Sequence, residues 1–175
     1  MLTYHDMTVP NAAAVFEQCK DTHAQYWGFK EKGLPFPEMQ ALFTRMKACG
    51  KTTCLEVVAY TEAESLQGAA IAAACGCDLL MGTVFSDAVN AFCQAHGLRY
   101  LPFVGQISGR PSVLRGSAEE MIAQAKAYCS KGVSGVDLLG YRYTGDALAL
   151  NQEVTAAVPA PVCIAGSVNS LARLA

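Results

Sequence analysis

Three ionisable residues sit inside runs that are otherwise apolar: Lys30 ends "YWGFK", Glu56 lies in "CLEVVAY" and Asp137 in "GVDLLGY". A charge in a strand buried on both faces is costly unless it is paired or hydrogen-bonded. The Lys30 and Glu56 runs follow one another along the chain, so the lysine is the natural counter-ion of Glu56. One reading is a structural ion pair. The other is catalytic: Lys30 acts at a carbon centre by proton transfer or as a Schiff-base amine, while Glu56 and Asp137 set its pKa and shuttle protons.

Polar residues at the ends of other apolar runs supply binding chemistry. Asp6 follows "MLTY" and reads either as a ligand contact or as a turn residue ahead of a Pro-initiated helix. Thr83 ends "DLLMGT", whereas Asp87 reads as a first-turn helix charge. The segment "GQISGRPSVLRGS" offers Gln106, Ser108, Arg110 and Arg115 as a loop able to close over a polar ligand. "GYRYTGD" offers Tyr141 and Arg142, the latter suited to clamping a phosphate or carboxylate. In "AGSVNS", Gly166 permits close backbone approach, and Gly166 with Ser167 reads as an anion-binding turn ahead of a helix expected from Leu171.

The elements that must position these residues repeat one pattern. A short apolar run ends in Gly or a polar residue, and a helical stretch of about a dozen residues follows. Pro10 and Pro37 open helices, Ser86 caps one, and Thr61 with Glu64 and Ser117 with Glu120 form capping boxes. Near-continuous apolar strands alternating with helices imply a parallel α/β sheet. Seven strands are expected, starting with "MLTY", in a single domain. No Gly-x-Gly-x-x-Gly follows the first strand, and polar residues end almost every strand, which favours a (β/α) TIM-type barrel over a doubly wound sheet. A barrel needs eight strands and typically about 250 residues. The expectation is therefore a barrel lacking its eighth strand and helix, incomplete at the C-terminus and trimmed at the N-terminus.

Composition narrows the function classes. The 175 residues are 52% hydrophobic and 16% charged, with a formal net charge of −2 and no basic stripe, so nucleic acid is not expected as a partner. Apolar stretches stop short of a membrane span, the N-terminus has no signal-peptide pattern, and the default location is the cytoplasm. The eight cysteines are scattered and read as reduced packing residues. No cofactor is called for, with Mg2+ on Asp6, Glu56 and Asp137 as the alternative.

With these residues in view, the chain resembles the ribulose-phosphate-binding and class I aldolase-like barrels over nearly its whole length. "YWGFK" is similar to the lysine strand of the N-acylmannosamine-6-phosphate epimerases. It differs from the Asp-x-Lys-x-x-Asp of the orotidine-phosphate decarboxylases, having Gly28 and Gly33 at the flanking positions. "LEVVAYTEAE" resembles the glutamate strand of the 2-keto-3-deoxy-6-phosphogluconate aldolases, although the late strands here carry Tyr141 and Arg142 in place of that family's lysine. "IAGSV" resembles the phosphate turn of these barrels. The resemblance implies a phosphorylated small-molecule substrate and an epimerase, isomerase or aldolase reaction. The alternatives are a phospho-metabolite sensor, like the glycerol-3-phosphate-responsive antiterminators, and an inactive barrel fragment. Strand edges left open by seven strands also suit a homo-oligomer.

Overall fold

The computed structural model describes residues 1–174. They form β1 (Thr3–Tyr4), β2 (Met7–Thr8), α1 (Ala12–Cys19), β3 (Tyr26–Lys30), α2 (Phe36–Ala48), β4 (Thr52–Ala59), α3 (Glu62–Ala74), β5 (Leu79–Thr83), α4 (Asp87–Ala95), β6 (Arg99–Leu101), β7 (Gln106–Ser108), β8 (Val113–Arg115), α5 (Ala118–Ser130), β9 (Val136–Leu138), a 3-10 turn (Gly140–Arg142), α6 (Ala147–Ala157), β10 (Val162–Ile164) and α7 (Leu171–Leu174). The chain forms two compact units, one spanning Met1–Arg99 and one running from Tyr100 onward. Strand β6 contains the boundary between them.

In the first unit β3, β4 and β5 pair in parallel, with Lys30 opposite Glu56 and Glu56 opposite Met81. The period-2 alternation of β3 gives it two different faces. Trp27 and Phe29 point to the helices, where Trp27 meets Phe16 edge-on and Phe29 stacks on Phe43 with ring centroids 4.2 Å apart. Phe16, Phe29 and Phe43 are fully buried, each contributing roughly 1.5–3 kcal/mol. Lys30 is thereby committed to the opposite face. Helix starts follow their caps: Thr61 accepts from the Glu64 N–H, and Ser86 accepts from the Ala88 and Val89 N–H groups.

At the strand starts, the Thr53 N–H and hydroxyl both donate to Asp78, which also pairs with Lys47 at 2.9 Å. Burial opposes ionisation of Asp78, but the Thr53 and Lys47 hydrogen bonds outweigh it and hold its pKa below the usual value.

The expected first strand differs. Thr3–Tyr4 does not run parallel to β3 but folds back on Met7–Thr8 as an antiparallel hairpin. His5 and Asp6, at φ 48° and 62°, are both left-handed, as a two-residue type I′ turn requires. Ahead of the hairpin, Leu2 donates its N–H to Gly28 O of β3 at 2.7 Å.

In the second unit β9 and β10 pair in parallel, and Phe103 bridges Asp137 on the other side of β9. The Ser117–Glu120 capping box starts α5. The segment after Gly105, expected as a loop, is an antiparallel hairpin of β7 and β8. It is secured to the turn after β9 by a Leu114–Tyr143 bridge and by the Tyr143 hydroxyl, which donates to Gly116 O at 2.9 Å. No described helix is long and apolar enough to cross a membrane.

Candidate functional site

Lys30 is gripped through its backbone before its side chain does anything. The Thr8 hydroxyl accepts from the Lys30 N–H (2.9 Å) and donates to the Lys30 carbonyl (2.8 Å), and the Thr8 N–H donates to Lys32 O. Gly33 completes the grip. Its φ is +108°, and a Cβ there would lie 2.4 Å from Thr8 O, so only glycine admits the hairpin this closely. Thr8 was not a sequence candidate. Its one signal was a polar residue between the hydrophobic Met7 and Val9.

The Lys30 ammonium then meets two carboxylates, Asp6 Oδ1 at 2.8 Å and Glu56 Oε1 at 3.3 Å. The lysine side chain is 8% exposed, that of Glu56 16% and that of Asp6 42%. The cluster is therefore sealed on the Glu56 side and open on the Asp6 side. Burial by itself would lower the lysine pKa. The charges of Glu56 and Asp6 and their hydrogen bonds outweigh it, and the net shift is upward. At neutral pH Lys30 is therefore held as an ammonium group, a form able to donate a proton or to stabilise developing negative charge.

Two further residues shape this cluster, and sequence reasoning missed both. A bulge lies between Glu56 and Ala59 in the β4–β5 pairing. Opposite it, Gly82 has φ +85°, and a Cβ there would stand 3.0 Å from Glu56 Cγ and 2.9 Å from Val57 O. Gly82 thus leaves room for the carboxylate stem. Glu31 follows Lys30, and its N–H donates to Glu56 O at 3.2 Å. Its buried Oε2 has no hydrogen-bond partner among the described residues. Burial pushes its pKa up, against its own backbone N–H and the nearby Lys32 and Lys30. Alternation predicts Glu31 on the other face of the strand from Lys30, which is why pattern reading passed over it. Thr83 is fully buried at the end of β5, in register with Ala59. Asp87 opens α4 in the first-turn position.

The remaining candidates belong to the second unit. Asp137 is fully buried in β9, opposite Cys163. Gln106 and Ser108 lie exposed on β7, where Arg115 donates to the Ser108 hydroxyl at 3.0 Å. Tyr141 and Arg142 occupy the 3-10 turn, and Arg142 Nε lies 3.3 Å from Ser167 Oγ. Gly166 and Ser167 are both left-handed, at φ 87° and 60°. The structure thus brings together Lys30, Glu56 and Asp6 in one unit and Arg142, Gly166 and Ser167 in the other. Among the described residues no group of three His, Cys, Asp or Glu side chains is arranged to hold a metal ion.

Comparison with solved structures decides the architecture. A native KDPGal structure superposes with a TM-score of 0.62 at 14% identity, covering 91% of this chain and 68% of the other. The fold is the parallel α/β fold of a TIM-type barrel. Muconate lactonizing enzyme from Pseudomonas putida gives a TM-score of 0.52 at 13% identity, over 92% of this chain and 44% of that one. Nitroalkane oxidase from Streptomyces ansochromogenes gives 0.51 at 16% identity, over 91% and 55%. The chain thus spans about two thirds of the first and about half or less of the others. At these identities the likeness is one of fold. No family model matches the sequence, and no curated protein does.

Proposed function

We propose that the chain is an isomerase, epimerase or lyase that moves a proton next to a carbonyl group of a small phosphorylated metabolite. One observation carries this reading: a Lys30 ammonium held between Asp6 at 2.8 Å and Glu56 at 3.3 Å in a site that is largely buried and open on one side. In the proposed step Glu56 takes the proton from the carbon beside the carbonyl. The C–H electron pair moves into the enolate, and the Lys30 ammonium hydrogen-bonds to the oxygen that gains charge. Return of a proton to carbon gives the epimer or isomer. In a lyase Glu56 instead takes the proton of the hydroxyl on the next carbon; that O–H pair forms the carbonyl of the departing fragment, the C–C pair moves into the enolate, and the enolate carbon then takes the proton back from Glu56. The phosphorylated substrate class rests on the resemblance of "IAGSV" to the phosphate turn of the ribulose-phosphate-binding barrels; within the second unit by itself, Gly166 and Ser167 are left-handed beside Arg142, as suits an anion.

The test is exchange in D2O with a panel of phosphorylated ketoses, aldoses and 2-keto acids, followed by proton NMR, with borohydride added in parallel. The expected result is deuterium at the carbon next to the carbonyl for a subset of the panel, abolished in Lys30→Ala, with no borohydride labelling of Lys30. Labelling would replace proton transfer by an imine mechanism. Binding without exchange would mark the chain as a sensor.

A further inference from the structure

The turn after β10 holds a second cationic group that the sequence did not single out. Arg142 approaches it from one side, with Nε 3.3 Å from Ser167 Oγ and Nη1 3.5 Å from Ser112 O. Arg173 approaches through the backbone, with Nη1 donating to Ser167 O at 2.7 Å. Its guanidinium lies over the Tyr141 ring, 5.3 Å from the centroid, which supports the charge without neutralising it. Among the described residues no carboxylate forms a salt bridge with Arg173, and its bond to Ser167 uses one of five N–H donors. The backbone between the two arginines is held in an unfavourable shape. Ser167 is a non-glycine residue at φ 60°, and a Cβ on Gly166 would stand 2.9 Å from Arg142 Cγ. A left-handed serine with two guanidinium groups directed at it needs a reason beyond chain reversal.

We propose that Arg142 and Arg173 form a two-guanidinium clamp at Ser167 that selects a dianionic phosphate group over a monoanionic carboxylate, with Arg173 as the specificity-determining residue. Two fixed cations gain roughly twice as much from a dianion as from a monoanion, and the planar donor forks match phosphate oxygens. The proposal rests on the phosphorylated-substrate part of the reading above and not on the Lys30 chemistry.

The experiment is NMR titration of the full chain with inorganic phosphate and, separately, acetate at pH 8, following the Gly166 and Ser167 amides in the wild type, Arg173→Ala and Arg173→Lys. Arg173 is exposed, so both variants should keep the fold. The expected result is saturable phosphate binding that weakens about tenfold or more in Arg173→Ala, less in Arg173→Lys, with acetate affinity changed by less than about threefold. If phosphate moves these amides with equal affinity in wild type and Arg173→Ala, the clamp is overturned and the phosphate turn stands. If phosphate leaves both amides unmoved in the wild type, the clamp and the phosphorylated-substrate reading fall together, and the deuterium-exchange test of Lys30 is unaffected.

Discussion

At the scale of single residues, the ion pairs of Lys30 link stability to pH. Its pKa is raised in the folded chain. The sign follows from linkage: the stabilisation is fully present below the unfolded lysine value of about 10.4 and is lost as pH rises through the higher folded value. Lys30→Met should therefore cost about 3 kcal/mol at neutral pH, the lower end for removing one partner of a buried pair. The gap to wild type should stay level up to about pH 10 and narrow above it. Denaturant unfolding of both proteins from pH 7 to 11.5 measures this, and a gap independent of pH would mean that the ion pair is not what the variant removes. The pairing of Lys30 with Glu56 was legible because a lysine that ends an apolar run must find a partner. That the amine stays protonated was not legible, since it depends on two distances and on how water reaches each carboxylate.

At the scale of elements, the N-terminal hairpin is the part that periodicity could not anticipate. "MLTY" has the apolar character of a strand, and only the left-handed pair His5–Asp6 turns it back. Neither residue is glycine, so the usual hairpin signal is missing. The hairpin has two functions that mutation separates. A His5→Asn, Asp6→Gly double variant carries the preferred turn pair, and it should keep thermal stability within about 1 kcal/mol. The same variant removes the nearer carboxylate, so the Lys30 amine should titrate at lower pH than in wild type. Calorimetry and NMR titration of the labelled lysine check the two effects, and an unchanged Lys30 titration would show that Asp6 is only a turn residue. The helix caps at Thr61, Ser86 and Ser117 were readable because capping chemistry is local. Gly82 and Thr8 were not, because each matters only through a neighbour distant in sequence.

At the scale of the whole molecule, the first unit places two different charged clusters at the two ends of its strands. The Thr53–Asp78–Lys47 network ties the strand starts together, while Lys30 stands at the end of β3 and Glu56 beside it on β4. The cysteines follow the same economy of packing. Cys54, Cys75, Cys77 and Cys93 are buried, and Cys19, Cys49, Cys129 and Cys163 are half-buried. Burial pushes the thiols of Cys77 and Cys93 up to about 12. Titration of the native chain with an aromatic disulfide at pH 8 should therefore report four reacting thiols, and all eight after denaturation; a native count near eight would contradict the packing described. The alternation of apolar runs and helices made the fold class readable, because it requires no knowledge of which residues meet. The bulge in β4 bears on how such a molecule can change. It absorbs one residue of mismatch just beyond Glu56, so lengthening or shortening of the connection into α3 need not shift the Lys30–Glu56 register. The Lys30–Glu56 pair is thereby insulated from the connection that follows it, which is free to vary in length.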